Sequence, residues 1–224
     1  NKKMWMVDDN KTFTSFGWTT KGDPIKKGKR DAFDNPDVFS GYPIAKDGYN
    51  SYFDIATKGS KIILDTEITN YDLKNKVVTF NNNNYKFDYI ISTISPDEIF
   101  KKDLGELKYI GRDLHKIVLP MENCFPDGVY FLYYANKESF TRIVEYKKFS
   151  LHKSPTTILG IEFPSRNGKF YPLPISDQQD LAEKYFDRFT ENTFSIGRNG
   201  SYRYSVDIDD SIEQALYVSE LIKN

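Results

Sequence analysis

Cysteine is nearly missing from this sequence, in which Cys124 stands alone. A single cysteine can form neither an intramolecular disulfide nor a thiolate metal cluster. Histidine is almost as scarce, with only His115 and His152. Two histidines do not make a histidine-based metal site without carboxylates, so we expect no bound metal. The shortage of cysteine also fits a reducing compartment, and we expect a cytoplasmic location.

Long apolar runs and an excess of positive charge are lacking too. No stretch of about 20 apolar residues is present, and no signal peptide is recognised. Lysine and arginine total 31 against 32 aspartates and glutamates, which gives a formal net charge of −1. Such a chain has no global positive field to attract nucleic acid. We therefore expect neither a membrane nor a nucleic-acid partner.

Aromatic residues, by contrast, are plentiful, with 16 tyrosines, 17 phenylalanines and 2 tryptophans. They supply core volume, and they also offer flat surfaces on which bases stack. The length of 224 residues suits one large domain or two small ones.

Strand patterns fill the middle of the chain. The apolar run 61–64 predicts a strand, and residues 68–71 and 77–80 around the turn-like 72–75 predict a hairpin. A polar turn is expected at 81–84. Later strand candidates, chosen for apolar, β-branched or aromatic content, are 87–93, 117–119, 129–134, 141–146, 156–163 and 194–197.

The run at 87–93 is almost continuously apolar, which predicts a strand covered on both faces and ended by Pro96. A helix is predicted at 51–57, and helical periodicity predicts two more at 176–190 and 209–222. Ser176 is the expected N-cap of the second helix.

A glycine-containing loop between the last strand and the last helix is the best candidate site. Glycines at a strand end let a ligand approach the backbone, and a helix N-terminus offers N–H groups and a positive dipole end. The alternative is a tight turn packed by aromatic rings. The loop reads Gly197-Arg198-Asn199-Gly200-Ser201-Tyr202-Arg203-Tyr204.

This loop resembles the Gly-Arg-x-Gly-x-Tyr-x-Tyr stretch of UDP-galactopyranose mutases, which is followed by an acidic residue and a helix. Here Asp207-Ile208-Asp209 follows with one extra residue, and then Ala215-Leu216. Further segments resemble the family's motifs in the family's order. They are Lys3-Met4-Trp5, the 43–49 segment Pro-Ile-Ala-Lys-Asp-Gly-Tyr, the 140–146 segment Phe-Thr-Arg-Ile-Val-Glu-Tyr, and Phe170-Tyr171-Pro172-Leu173.

The resemblance implies an isomerase that interconverts UDP-galactopyranose and UDP-galactofuranose with reduced FAD. In that family the reduced flavin is thought to attack the anomeric carbon through N5 and displace UDP. The family also begins with a Rossmann-like strand and a Gly-x-Gly-x-x-Gly turn that holds the FAD pyrophosphate. That motif is absent from these residues, so we expect most of the FAD-binding segment to be missing. We expect the isolated chain to purify colourless and to be active as an isomerase only if that segment is supplied.

The resemblance also implies roles for individual residues in substrate binding. A diphosphate needs fixed cations, and arginine matches phosphate with its planar fork of donors. Arg142, and Arg30 from a mobile basic loop at 26–30, are assigned to the diphosphate. Tyr171 and Tyr204 would donate hydrogen bonds to the same phosphates, and Trp5 would stack on uracil.

On the cofactor side, the resemblance places Arg198 near flavin N5 and the sugar. Gly197, Asp207 and Ile208 are also assigned to the cofactor, and Asp207 to the substrate as well.

Each assignment has a plainer alternative. Arg142 could form a buried ion pair with Glu145 or Glu162. Tyr171 and Trp5 could simply pack in the core. Arg30 could lie on a solvated loop.

The expected fold is α/β, with partial Rossmann-like flavin-domain elements and a mixed, largely antiparallel substrate sheet. The expected divisions are a substrate-loop region at 1–57, strands returning to the flavin domain at 58–100, the substrate sheet at 101–175, and the closing elements at 176–224. A homodimer is left open. Two functional alternatives remain: an incomplete or non-catalytic UDP-sugar-binding remnant, and an amine-oxidase-like flavoprotein.

Overall fold

The computed structural model describes residues 2–14 and 41–223. These residues form two compact units. Unit 1 takes in the described residues within Asn1–Thr20, Ile63–Gly111 and Arg166–Asn224. Unit 2 takes in those within Lys21–Ile62 and Arg112–Ser165. The chain thus passes from unit 1 into unit 2 and back twice.

Unit 1 contains an antiparallel three-stranded meander of β1 (Ile68–Asp72), β2 (Val77–Phe80) and β3 (Asn83–Lys86). The predicted hairpin is confirmed, and its turn is fixed by the Asp72 carboxylate, which accepts bonds from the Asn75 backbone (3.0 Å) and side chain (2.8 Å). The turn predicted at 81–84 is shorter, because Asn83 already begins β3.

A parallel pair, β4 (Ile90–Ser92) and β10 (Thr193–Ser195), also lies in unit 1. Helix α3 (Pro96–Ile99) follows β4, with proline at its first turn. Strand β4 is shorter than the one predicted at 87–93, because only residues 90–92 pair with β10. The expectation that both its faces are covered is wrong, because Ile91 lies 47% exposed between two buried neighbours.

The helices of unit 1 include the two long ones predicted from periodicity, α5 (Ser176–Phe186) and α7 (Ile208–Lys223). Ile175, not Ser176, is the N-cap of α5, and Ser176 is its first helical residue. Shorter elements are α1 (Lys2–Trp5), a 3-10 turn (Asn10–Thr12), α6 (Gly197–Gly200) and strand β9 (Tyr171–Pro172).

Three apolar clusters of described residues form the core of unit 1. One lies under the meander and is made of Leu73, Val78, Phe80, Ile90 and Ile99. A second joins α5 to the residues just after α6 and to the start of β5, and it consists of Leu107, Tyr109, Ala182, Tyr185 and Tyr202. The third consists of Trp5, Phe13, Ile110 and Leu173.

Strand β5 (Tyr109–Leu119) begins in unit 1, where Tyr109 and Ile110 pair with β9, and continues into unit 2. There the strand order is β6-β7-β8-β5. β6 (Phe131–Tyr133), β7 (Arg142–Glu145) and β8 (Thr157–Ser165) pair antiparallel. Unit 2 also holds α2 (Asn50–Ala56) and α4 (Lys147–Ser150). The strands predicted in this region, and the helix at 51–57, are confirmed with shifted ends.

The strand predicted at 61–64 is wrong. Those residues have no strand partner among the described residues, and Ile62, Ile63 and Leu64 are exposed. An apolar run without a neighbouring strand to complete its hydrogen bonds stays irregular. Within the described residues, no helix combines the length and the apolar character needed to cross a bilayer. The described residues thus form a mixed α/β fold with antiparallel sheets.

Candidate functional site

Arg198 lies at the centre of the glycine loop that follows β10. Its Nε donates a hydrogen bond of 2.8 Å to the Val206 carbonyl, and its Nη2 is bonded to the Asp207 carboxylate. These two anchors close the loop back on itself and fix the guanidinium plane. Gly197, at φ +76°, has open space where a side chain would be.

Two tyrosines flank the Arg198 guanidinium. Its Cζ atom is 5.6 Å from the ring centroid of Tyr171 and 5.6 Å from that of Tyr204. The two rings meet each other edge-on, with centroids 5.5 Å apart. A cation at this distance from an aromatic ring is attracted by the ring quadrupole. The arrangement therefore holds one positive charge between two phenol groups.

Trp5 completes this aromatic group from the other end of the sequence. Its ring meets Tyr204 edge-on, at 4.8 Å between centroids, and is fully buried against Phe13 and Leu173. The structure thus brings Trp5, Tyr171, Arg198 and Tyr204 together in unit 1. Because no part of Trp5 is exposed, a uracil could stack on it only after its aromatic neighbours move.

Asp207 and Ile208 lie where the loop enters α7. The Asp207 side chain is 72% exposed, and its backbone N–H donates to the Asp210 carboxylate at 2.8 Å. Acidic side chains suit this end of the helix, where the dipole is positive. Besides its bond to Arg198, the Asp207 carboxylate is therefore open to solvent.

Gln214 is a residue that the sequence patterns did not single out. Its Oε1 accepts the Gly197 N–H at 2.7 Å, and its side chain exchanges a hydrogen bond with Ser201. It therefore ties the glycine loop to α7. In the sequence, Gln214 is one polar residue among several on α7, so no local pattern pointed to its contact with the glycine loop.

Arg142 is paired within unit 2. It stands opposite Glu162 in the register of β7 and β8, and its Nε and Nη2 donate to the two Glu162 carboxylate oxygens at 3.0 and 2.8 Å. Phe131 and Tyr133 also flank its guanidinium, with centroids at 5.5 and 5.7 Å. Of the two ion-pair partners considered for Arg142, Glu145 and Glu162, the structure shows Glu162.

The Arg142 side chain is 29% exposed and remains charged. Burial lowers its pKa, but the hydrogen bonds and the charge of Glu162 outweigh that effect, so the pKa is raised overall. Arg30 and the basic loop at 26–30 lie outside the described residues.

Comparison with known proteins identifies the family. The family model described as "GLF: UDP-galactopyranose mutase" matches residues 1–204. No curated protein matches the chain. A solved structure, "Crystal structure of reduced UDP-Galactopyranose mutase", matches with a TM-score of 0.57 and 18% identity. The match covers 70% of this chain and 46% of that one, so the chain spans less than half of that structure. Because the family model matches most of its residues, the chain belongs to the UDP-galactopyranose mutase family.

Proposed function

We propose that this chain carries the nucleotide-sugar-binding groups of an isomerase that interconverts UDP-galactopyranose and UDP-galactofuranose. The observation that carries the proposal is the convergence of Trp5, Tyr171, Arg198 and Tyr204 in unit 1. They come from three separate stretches of sequence, each of which resembles a family motif. Simple core packing would not require an arginine between two of the rings.

The substrate roles follow from the chemistry of these side chains. Tyr171 and Tyr204 would donate phenol hydrogen bonds to the diphosphate, while Arg142 and Arg30 would supply cations for the same group. A cation held at a diphosphate stabilises the charge that develops as the UDP leaves. Trp5 would provide the flat surface for uracil once its neighbouring rings move aside, and Asp207 would contact the substrate at the loop.

The glycine loop also fits the edge of a flavin ring. The open space at Gly197 allows a flat group to approach the backbone, Arg198 offers fixed N–H donors, and α7 begins at Ile208 with its positive dipole end. Gly197, Arg198, Asp207 and Ile208 would hold FAD there. Reduced FAD, when bound, supplies the electron pair that the family reaction uses at the sugar.

The test is to measure UDP binding to the 224-residue chain by calorimetry. A hydrogen bond to a charged group is worth about 1.5–3 kcal/mol, so Tyr171→Phe and Tyr204→Phe should each weaken UDP about 10- to 150-fold. Tyr217→Phe on α7 is the matched control, because Tyr217 is 64% exposed and lies outside the proposed site. It should bind UDP like the unaltered chain.

An activity assay then separates catalysis from binding. Because we expect FAD to be held mainly by a glycine-rich segment that these residues do not contain, a version of the chain extended by such a segment is incubated with UDP-galactofuranose, FAD and dithionite, and the products are separated by chromatography. Formation of UDP-galactopyranose supports the isomerase. Tyrosine-dependent UDP binding without conversion would favour the non-catalytic UDP-sugar-binding alternative. UDP binding that ignores both tyrosines would overturn the proposed site.

A further inference from the structure

We propose that unit 2 holds a second binding site, for a small phosphate-bearing anion. The site is a cavity of about 420 Å³ that none of the residues assigned above lines. This volume lies in the range of small-molecule sites, roughly 300–1,000 Å³. The groups that matter for its chemistry are Asp127, Tyr130, Lys147, Lys148, His152 and Lys153.

The cavity has an uncompensated positive charge. Three lysines line it, against the single carboxylate of Asp127. None of the three is in an ion pair with a carboxylate of the residues that the structure describes. Lys102, Arg142, Lys169, Arg188 and Arg198 all have such a partner. An unpaired cation at a concave surface is a ready partner for an anion.

Neutral acceptors hold two of these ammonium groups in place. Lys147 Nζ donates to the carbonyls of Ser154 (2.8 Å) and Thr156 (3.0 Å). Lys148 Nζ donates to those of Phe125 (2.6 Å) and Pro126 (2.5 Å). Carbonyls fix the position of an ammonium without cancelling its charge. Since an ammonium has three N–H donors, each lysine keeps one for a ligand.

One buried carboxylate, that of Glu145, anchors the two chain segments whose carbonyls accept hydrogen bonds from Lys147 and Lys148. Glu145 is fully buried and accepts from the N–H groups of Cys124 and Phe125, both at 2.8 Å, and from the Thr157 hydroxyl at 2.6 Å. One set of bonds fixes the loop whose carbonyls hold Lys148. The other fixes the start of β8, next to the carbonyl that holds Lys147.

The charge of Glu145 is therefore already engaged by three donors behind the cavity wall. It attracts Lys148 at longer range and offsets part of that charge, but it forms no direct ion pair with it. The lysines remain the charged groups that line the cavity.

The chemistry of the lining selects the ligand class. Lysine ammonium groups bind phosphate oxygens as point charges, and Tyr130 and Leu151 add less polar wall beside them. This combination suits a phosphate group attached to a small organic body. Inorganic phosphate and pyrophosphate carry the shared chemistry and serve as probes.

The experiment is a titration of the 224-residue chain with inorganic phosphate and with pyrophosphate at low ionic strength, followed by backbone NMR and calorimetry. We expect amide shifts at Cys124 and Gly128, beside the cavity. Lys147→Gln and Lys148→Gln should each weaken phosphate at least tenfold. Asp127→Asn should strengthen phosphate binding severalfold, because it removes a negative charge that repels the anion. Lys137→Gln, an exposed lysine of the same unit outside the cavity, is the control and should change nothing.

Several results would overturn the site. These are no phosphate binding to the unaltered chain, unchanged affinity in folded Lys147→Gln and Lys148→Gln, or weaker binding after Asp127→Asn. Should the two variants unfold, the exposed Lys153→Gln and Asp127→Asn decide, through opposite changes in affinity. This cavity is separate from the proposed nucleotide-sugar site, because Tyr171 does not line it. Tyr171→Phe should therefore leave the affinity of the cavity for inorganic phosphate unchanged.

Discussion

Arg142 and Glu162 face each other across strands β7 and β8 and share two parallel hydrogen bonds. The carboxylate is 13% exposed and the guanidinium 29%, so each would lose a partner in a mostly dry environment if the other were removed. The pair therefore makes Arg142 a structural residue of unit 2, whatever else it binds.

A double-mutant cycle measures this pairing. Arg142→Met and Glu162→Met should each lower the free energy of unfolding by about 2–3 kcal/mol, because each leaves one charge without its partner. The double variant should lose clearly less than the sum, as a methionine pair buries no charge. Urea denaturation provides the numbers, and strict additivity would contradict the pairing.

The same arginine can be tested in ligand binding. If Arg142 also clamps the diphosphate, Arg142→Met should weaken UDP about 10- to 150-fold. Glu162→Met is the matched control for lost stability, because it removes the pair but keeps the cation. A variant that loses stability and keeps UDP affinity would remove Arg142 from the site.

Trp5 combines a structural role with a proposed binding role, and two substitutions separate them. Because the ring is fully buried, Trp5→Ala should cost about 3–5 kcal/mol of unfolding free energy. Trp5→Phe should cost less, since it keeps much of the packing. If uracil stacks on Trp5, Trp5→Phe should weaken UDP but leave pyrophosphate unaffected. If Trp5→Phe and the unaltered chain bind UDP with equal affinity, Trp5 is a core residue only.

Stability at low pH should depend on Glu145. Burial raises the pKa of this carboxyl, but hydrogen bonds from Thr157, Cys124 and Phe125 and the charge of Lys148 together lower it below the ordinary 4.5. A lowered folded-state pKa contributes stability above pH 4.5, which is lost as the pH falls through the folded value. Thr157→Val removes one of these bonds and should flatten the dependence below pH 4.5 in acid titrations followed by circular dichroism.

Three glycines give a graded prediction for alanine substitution. At Gly111 an added Cβ would lie 1.4 Å from the Asn167 carbonyl oxygen, so Gly111→Ala should be severely destabilising. Gly197 has room but a φ of +76°, so Gly197→Ala should cost about 1 kcal/mol. Gly41, with open space and no positive φ, is the control and should change little. Thermal melts that reverse this order would contradict the backbone geometry.

Local patterns predicted the elements with strong local signals. The turn-like residues 72–75 gave the β1–β2 hairpin, and helical spacing gave α5 and α7. Residues 61–64 and Asn83 show the limit, because strand formation depends on a partner. Residues 61–64 have no strand partner among the described residues. Asn83, by contrast, pairs with Phe80 of β2 and so belongs to a strand.

The site was predictable to the extent that side chains resemble family motifs. Trp5, Tyr171, Arg198 and Tyr204 do converge, whereas Gln214 and the Glu145 network depend on tertiary hydrogen bonds that no local pattern shows. The partner of Arg142 depended on register. Residues three apart on one strand point to opposite faces, so Glu145 cannot share a face with Arg142, and the residue across the ladder is Glu162.

The return of the chain to unit 1 has a consequence for the order of events during synthesis. Strand β4 cannot find β10 until the ribosome has produced everything between Ile90 and Thr193, including all the residues that build β6, β7 and β8. Strands β6 to β8, by contrast, are neighbours in sequence and pair locally. We therefore expect strands β6 to β8 of the nascent chain to gain protection from proteolysis before β4 and β10 do.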